Sequence, residues 1–140
     1  NDHLKQVHIE GELETIKSAI WYTRLISKDY NVAMNTGGSA LDDPDVMFYE
    51  AYACGSERNY TGYCDREMQA RFDQQSATVD PVRRKELVQQ IDHDLQMQGV
   101  RPSIFHMRAN TCWQSHVHGV ALAANSQYNH WRFEEVWLDR

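Results

Sequence analysis

Residues 43–64 are DPDVMFYEAYACGSERNYTGYC, a proline-led helix start followed by a loop between two cysteines. Asp43-Pro44 opens the stretch. An aspartate ahead of a helix can accept from its free amides, and proline at the first helical position forfeits no hydrogen bond, so a short helix is expected over 46–52. After Tyr52 the residues are Gly, Ser, Asn and Tyr without sustained period, bracketed by Cys54 and Cys64. A bridge between those two would close a loop of about ten residues. In the simple loop-closure picture it removes ~2–3 kcal/mol of unfolded-chain entropy, and it implies an oxidising compartment. The alternative is a pair of free thiols in a reducing one. A metal site would call for further thiols or histidines at short spacing. Phe48, Tyr49, Tyr52, Tyr60 and Tyr63 supply aromatic surface, either to anchor the loop to a core or to line a cleft.

Upstream, Val7, Ile9 and Leu13 alternate with polar residues, which is strand periodicity over 4–13. Ile16, Ala19, Ile20, Thr23 and Ile26 then recur at helical spacing. Tyr30–Met34 alternates again and stops at Gly37-Gly38. Strand, helix and strand with short joints predict a right-handed parallel βαβ crossover, hence an α/β protein. Downstream, Asp65 is placed to cap a helix with Met68 and Phe72 on its apolar face. Asp80-Pro81 starts a second, with Leu87, Val88, Ile91 and Leu95 as its stripe, and Gly99 and Pro102 mark its end. The run Arg83-Arg84-Lys85 reads as solvated surface. Strands are expected over 103–113 and 117–123, with His106 a hydrogen-bonded core histidine and Cys112 a buried small hydrophobe. Trp131, Phe133, Val136, Trp137 and Leu138 form an aromatic tail that needs a surface to cover it.

Composition narrows the function. The 140 residues carry a net charge of −6, with 41% hydrophobic and 24% charged residues. This is a folded chain with no electrostatic reason to bind nucleic acid, since phosphate binding needs clustered Lys and Arg. No apolar run approaches the ~18–20 residues of a membrane span. No basic segment followed by an apolar stretch opens the chain, which a mature or internal piece would equally lack. Gly-x-Ser-x-Gly, phosphate-loop and His-Glu-x-x-His patterns are absent from the sequence, so no cofactor and no enzymatic activity are expected. Asp42, Asp43, Asp45 and Glu50 fit turn and capping chemistry. The competing reading is a small exported hydrolase that uses these carboxylates. Seven histidines, with His116 and His118 on one side of an expected strand, leave metal capture as a further alternative.

Asp43-Pro44-Asp45, Phe48, Cys54 and the run Asn59-Tyr60-Thr61-Gly62-Tyr63-Cys64 resemble the peptide- and nickel-type solute-binding proteins of ABC importers, in particular the dipeptide-binding branch. The helix with Arg84, Leu87 and Ile91 is similar too, as are Pro102-x-Ile104-Phe105, Val117-x-Gly119 and Phe133-Glu134-x-Val136. The resemblance covers nearly the whole chain. It implies a lobe of the type II periplasmic binding fold: a βαβ unit, a disulfide-closed loop, two helices and C-terminal strands. On that reading residues 1–112 belong to the second ligand-binding lobe and 113–140 cross back to the first, the chain being the C-terminal portion of a longer periplasmic receptor. Its partners are a peptide or other small solute and the permease, and the aromatic tail without its lobe would seek a substitute partner such as a second copy. Asn35, Ser39, Ala40, Leu41 and Asp42 fall at the ligand-contacting positions. Ala40 departs from the pattern. Peptide-binding relatives place there an aspartate that pairs with the ligand's free amino group, and a buried ammonium without a counter-charge costs several kcal/mol (~3–5).

Overall fold

The computed structural model describes residues 2–38, 41, 43–108, 110–122 and 133–139, grouped in two compact units that divide between Ala33 and Met34. The first unit holds a one-turn helix α1 (Asp2–Lys5) and a helix α2 (Ser18–Ser27). Both end in the same way. His8 and Lys28 take left-handed backbone angles (φ 61° and 57°), which lets the next amide reach back to a carbonyl five residues earlier: Ile9 N to Leu4 O at 2.9 Å, Asp29 N to Arg24 O at 3.0 Å. This is the Schellman closure, made here without its usual glycine. Arg24 ties the unit together, donating to Glu14 at 2.6 Å and to the Asp29 carboxylate at 3.0 Å.

The parallel crossover expected around α2 is not formed among the described residues. Residues 4–13 begin as helix and continue without regular structure, and 30–34 form no strand. Alternation marks the face a strand would bury, but a strand also needs a neighbour for its amides and carbonyls. Of the expected face Ile16, Ala19, Ile20, Thr23, Ile26, Ile16 is half-buried and the rest are exposed. The buried residue of α2 is Leu25.

The second unit is built on α3 (Pro44–Ala51), α4 (Arg66–Ser76) and α5 (Pro81–Gln98). Each begins at an aspartate whose carboxylate accepts from first-turn amides: Asp43 from Asp45 N, Asp65 from Glu67 N and Met68 N, Asp80 from Arg83 N. Each such cap contributes about 1 kcal/mol. Gly99, at φ 64°, ends α5. Helix α4 packs on both α3 and α5, enclosing Phe48, Met68, Phe72, Ile91 and Leu95. Phe48 stacks on Phe72 with centroids 5.1 Å apart, and Tyr49 meets the same ring edge-on at 6.2 Å. Leu87, Ile91 and Leu95, one turn apart, are the buried stripe of α5, and burial of each contributes ~1.5–3 kcal/mol.

Two short strands follow. β1 (Val117–His118) pairs antiparallel with β2 (Trp137–Leu138), Val117 opposite Leu138 and His118 opposite Trp137. Gly119 leaves β1 at φ 75°, where a Cβ would come within 1.9 Å of the Glu135 carbonyl oxygen. Only glycine permits that approach. The strand expected over 103–113 is absent from the described residues, so His106 and Cys112, expected in a core, are exposed. The tail contributes Phe133, Trp137 and Leu138 to the surface. No described helix is long and apolar enough to cross a membrane.

Candidate functional site

Residues 43–64 form a closely hydrogen-bonded segment that grows from the N-terminus of α3. Asp43 caps that helix and at the same time accepts two bonds from Arg84, at 2.8 and 3.0 Å. The fork of the guanidinium matches the carboxylate, the strongest geometry such a pair has. Arg84 therefore holds the Asp43 carboxyl below the usual carboxylate range, with the Asp45 amide helping. Its third nitrogen donates to Gln75 Oε1 at 3.2 Å. Gln75, fully buried, donates in turn to the Phe72 carbonyl at 3.0 Å and to Asp45. Asp45 also accepts from the Ser76 hydroxyl at 2.7 Å. The surface assignment of Arg84 is thus corrected: its neighbours Arg83 and Lys85 are exposed, while Arg84 joins three helices. Tyr49 adds a further link, its hydroxyl donating to Asp73 at 2.6 Å, so its pKa is pushed up to about 12, chiefly by that bond and then by burial.

Beyond α3 the chain turns into the loop closed by Cys54–Cys64, with Cα atoms 4.7 Å apart. Gly55 and Gly62 turn through positive φ. Asn59 lies inside the loop, only 3% exposed, and donates to the carbonyls of Ala53 (3.0 Å) and Tyr63 (2.6 Å). Glu50 accepts from Arg58 at 3.2 Å, and its carbonyl accepts from Ser56 at 2.7 Å. The aromatic residues act as anchors: Tyr63 meets Tyr52 edge-on at 6.3 Å and donates to Gln98 at 2.9 Å. The Arg101 guanidinium lies 5.7 Å from the centre of the Tyr52 ring. A Cβ at Gly37 would meet that guanidinium at 3.6 Å.

Of the expected ligand contacts, Asn35 and Leu41 are exposed, whereas Ser39, Ala40 and Asp42 lie outside the described residues. Two open grooves border α4 and α5. One of about 270 Å³ is lined by Asp65, Met68, Arg71, Asp94 and Gln98, and another of about 460 Å³ by Arg71, Glu86, His93 and Asp94. They share the Arg71–Asp94 pair at 2.7 Å, and neither is lined by Asn35 or Leu41. No group of three or more metal-ligating side chains occurs among the described residues, and the His118 ring stacks on Trp137 at 4.4 Å. Gln75, Arg84 and Arg101 had no role in the sequence reading as network members. Their partners lie far off in the chain, Asp43 being 41 residues from Arg84, and no short spacing announces such a pair.

No protein family, no curated protein and no solved structure matches this chain.

Proposed function

We propose that this chain is part of the second lobe of an exported solute-binding protein, which captures a peptide or other small solute and delivers it to an ABC permease without turnover. The observation that carries the reading is a contrast in burial. The stapled loop and its three helices are closed and cross-linked, whereas the apolar members of the strand-patterned segments, among them Val7, Ile9, Val32, Met34, Ile104 and Phe105, lie open. That is the expectation for an α/β lobe whose sheet is completed by further strands of a longer chain. The loop disulfide suits the periplasm. Of the carboxylates on which a hydrolase would depend, Asp43 is engaged by Arg84, Asp45 by Gln75 and Ser76, and Glu50 by Arg58.

Two measurements test it. The complete open reading frame is expected to supply several hundred residues ahead of Asn1 with an export signal. The complete polypeptide, screened by thermal shift, is expected to be stabilised by a small solute, by ~2.7 kcal/mol at a hundredfold excess over Kd. Ala40 in place of the amino-group anchor makes free dipeptides the weaker ligands and amino-blocked ones the stronger. Substrate turnover abolished by Asp43→Asn or Asp45→Asn would instead establish the hydrolase.

A further inference from the structure

The disulfide closes its loop at Cys54 and Cys64. The residues immediately before those two, Ala53 and Tyr63, present their carbonyls to one side chain. Asn59 Nδ2 donates to Ala53 O at 3.0 Å and to Tyr63 O at 2.6 Å, so a single carboxamide ties the same two ends that the sulfurs tie. Its oxygen is used as well, accepting from Thr61 Oγ1 at 3.0 Å, and that hydroxyl oxygen accepts from the Tyr63 amide at 3.2 Å. Asn59 is buried, its bond to the Ala53 carbonyl fully and its bond to the Tyr63 carbonyl partly shielded from water, and an amide bond to a carbonyl is worth most where it is shielded. Both cysteines, by contrast, are exposed. A soluble reductant can reach the covalent tie and cannot reach the amide tie.

We propose that Asn59 is a second clasp acting in parallel with the disulfide, so that the loop stays closed when Cys54 and Cys64 are reduced. Reduction takes two electrons and two protons from a dithiol, leaves two thiols and removes the covalent link. What persists is the Asn59 bridge, the Tyr63 hydroxyl on Gln98 and the Cys54 amide on Gln69 Oε1 at 3.3 Å. Loop shape is therefore independent of the redox state of the surroundings. A cross-link that acts mainly on the unfolded chain leaves native geometry unchanged when it is cut. This inference concerns the loop alone and does not depend on the receptor reading.

Hydrogen exchange of the intact chain, read at the amides of Gly62 and Tyr63, tests the clasp. The wild type with and without reductant, the Cys54→Ser/Cys64→Ser pair, Asn59→Asp, and the triple variant are compared. Asn59→Asp keeps the shape, removes both donors and sets a carboxylate against two carbonyls. Wild type is expected to keep loop protection on reduction, and so is the serine pair. The triple variant is expected to lose it about tenfold or more, as two missing hydrogen bonds require. Core amides of α4 and α5 serve as the internal standard. If the triple variant loses those too, Asn59→Asp in the oxidised state decides: a drop in loop protection on adding reductant, absent from wild type, upholds the clasp. Loss of loop protection in the serine pair alone, or equal responses of wild type and Asn59→Asp to reductant, overturns it.

Discussion

Arg84 shows how much one side chain can carry. It neutralises Asp43, approaches Asp45 at 3.5 Å and satisfies the buried Gln75 oxygen, so that three helix segments meet at one guanidinium. Replacing it by methionine keeps much of the stem's packing and leaves a buried acceptor without a donor, which costs ~1–3 kcal/mol. Urea unfolding at pH 7 is expected to register that loss. The pair also sets an acid response. Arg84 lowers the Asp43 pKa in the folded chain, so its stabilisation is complete above the unfolded value of ~3.9 and is lost as pH falls through the depressed folded value. The carboxylate is partly exposed, so the effect is modest. Asp43→Asn is expected to flatten the fall in stability as pH drops below the unfolded carboxylate value of ~3.9, and the deficit of Arg84→Met is expected to shrink over the same fall. None of this was readable locally: Arg83-Arg84-Lys85 looks like any charged helix surface, and only packing selects the middle residue.

Element boundaries were far more legible. Asp43-Pro44, Asp65 and Asp80-Pro81 announce the starts of α3, α4 and α5, and Gly99 the end of α5, because a cap and the amides it serves are neighbours in the chain. The faces were legible where a helix packs against another helix, as with Leu87, Ile91 and Leu95. They were not legible in α2, whose expected stripe stays open while Leu25 is buried. Lys28 makes the end of α2 testable. Its left-handed conformation carries a Cβ penalty that glycine escapes, so Lys28→Gly is expected to stabilise the protein by ~0.5–1 kcal/mol, measured by chemical denaturation. A loss of stability would mean that the Lys28 side chain contributes more than the strain it bears.

At the scale of the molecule, the described residues include a large set of open apolar side chains, from Val32 at 93% exposure to Ile104, Met107 and Leu138. Where such side chains adjoin, a contiguous apolar patch marks a missing partner. The chain alone is expected to enhance the fluorescence of a hydrophobic dye such as ANS several-fold and to associate with rising concentration in sedimentation velocity. A dye-silent monomer would show that these segments find cover within the chain itself. Residue order alone was enough to place the starts of α3, α4 and α5 and the end of α5, and to favour a bridge between Cys54 and Cys64, since those are interactions between near neighbours along the backbone. It took packing to show that Asp43 belongs to Arg84, that Gln75 and Asn59 are buried and satisfied, and that the described residues of the alternating segments form no strand. A side chain's remote partner depends on packing, and a strand, whatever its periodicity, exists only where a second strand completes its hydrogen bonds.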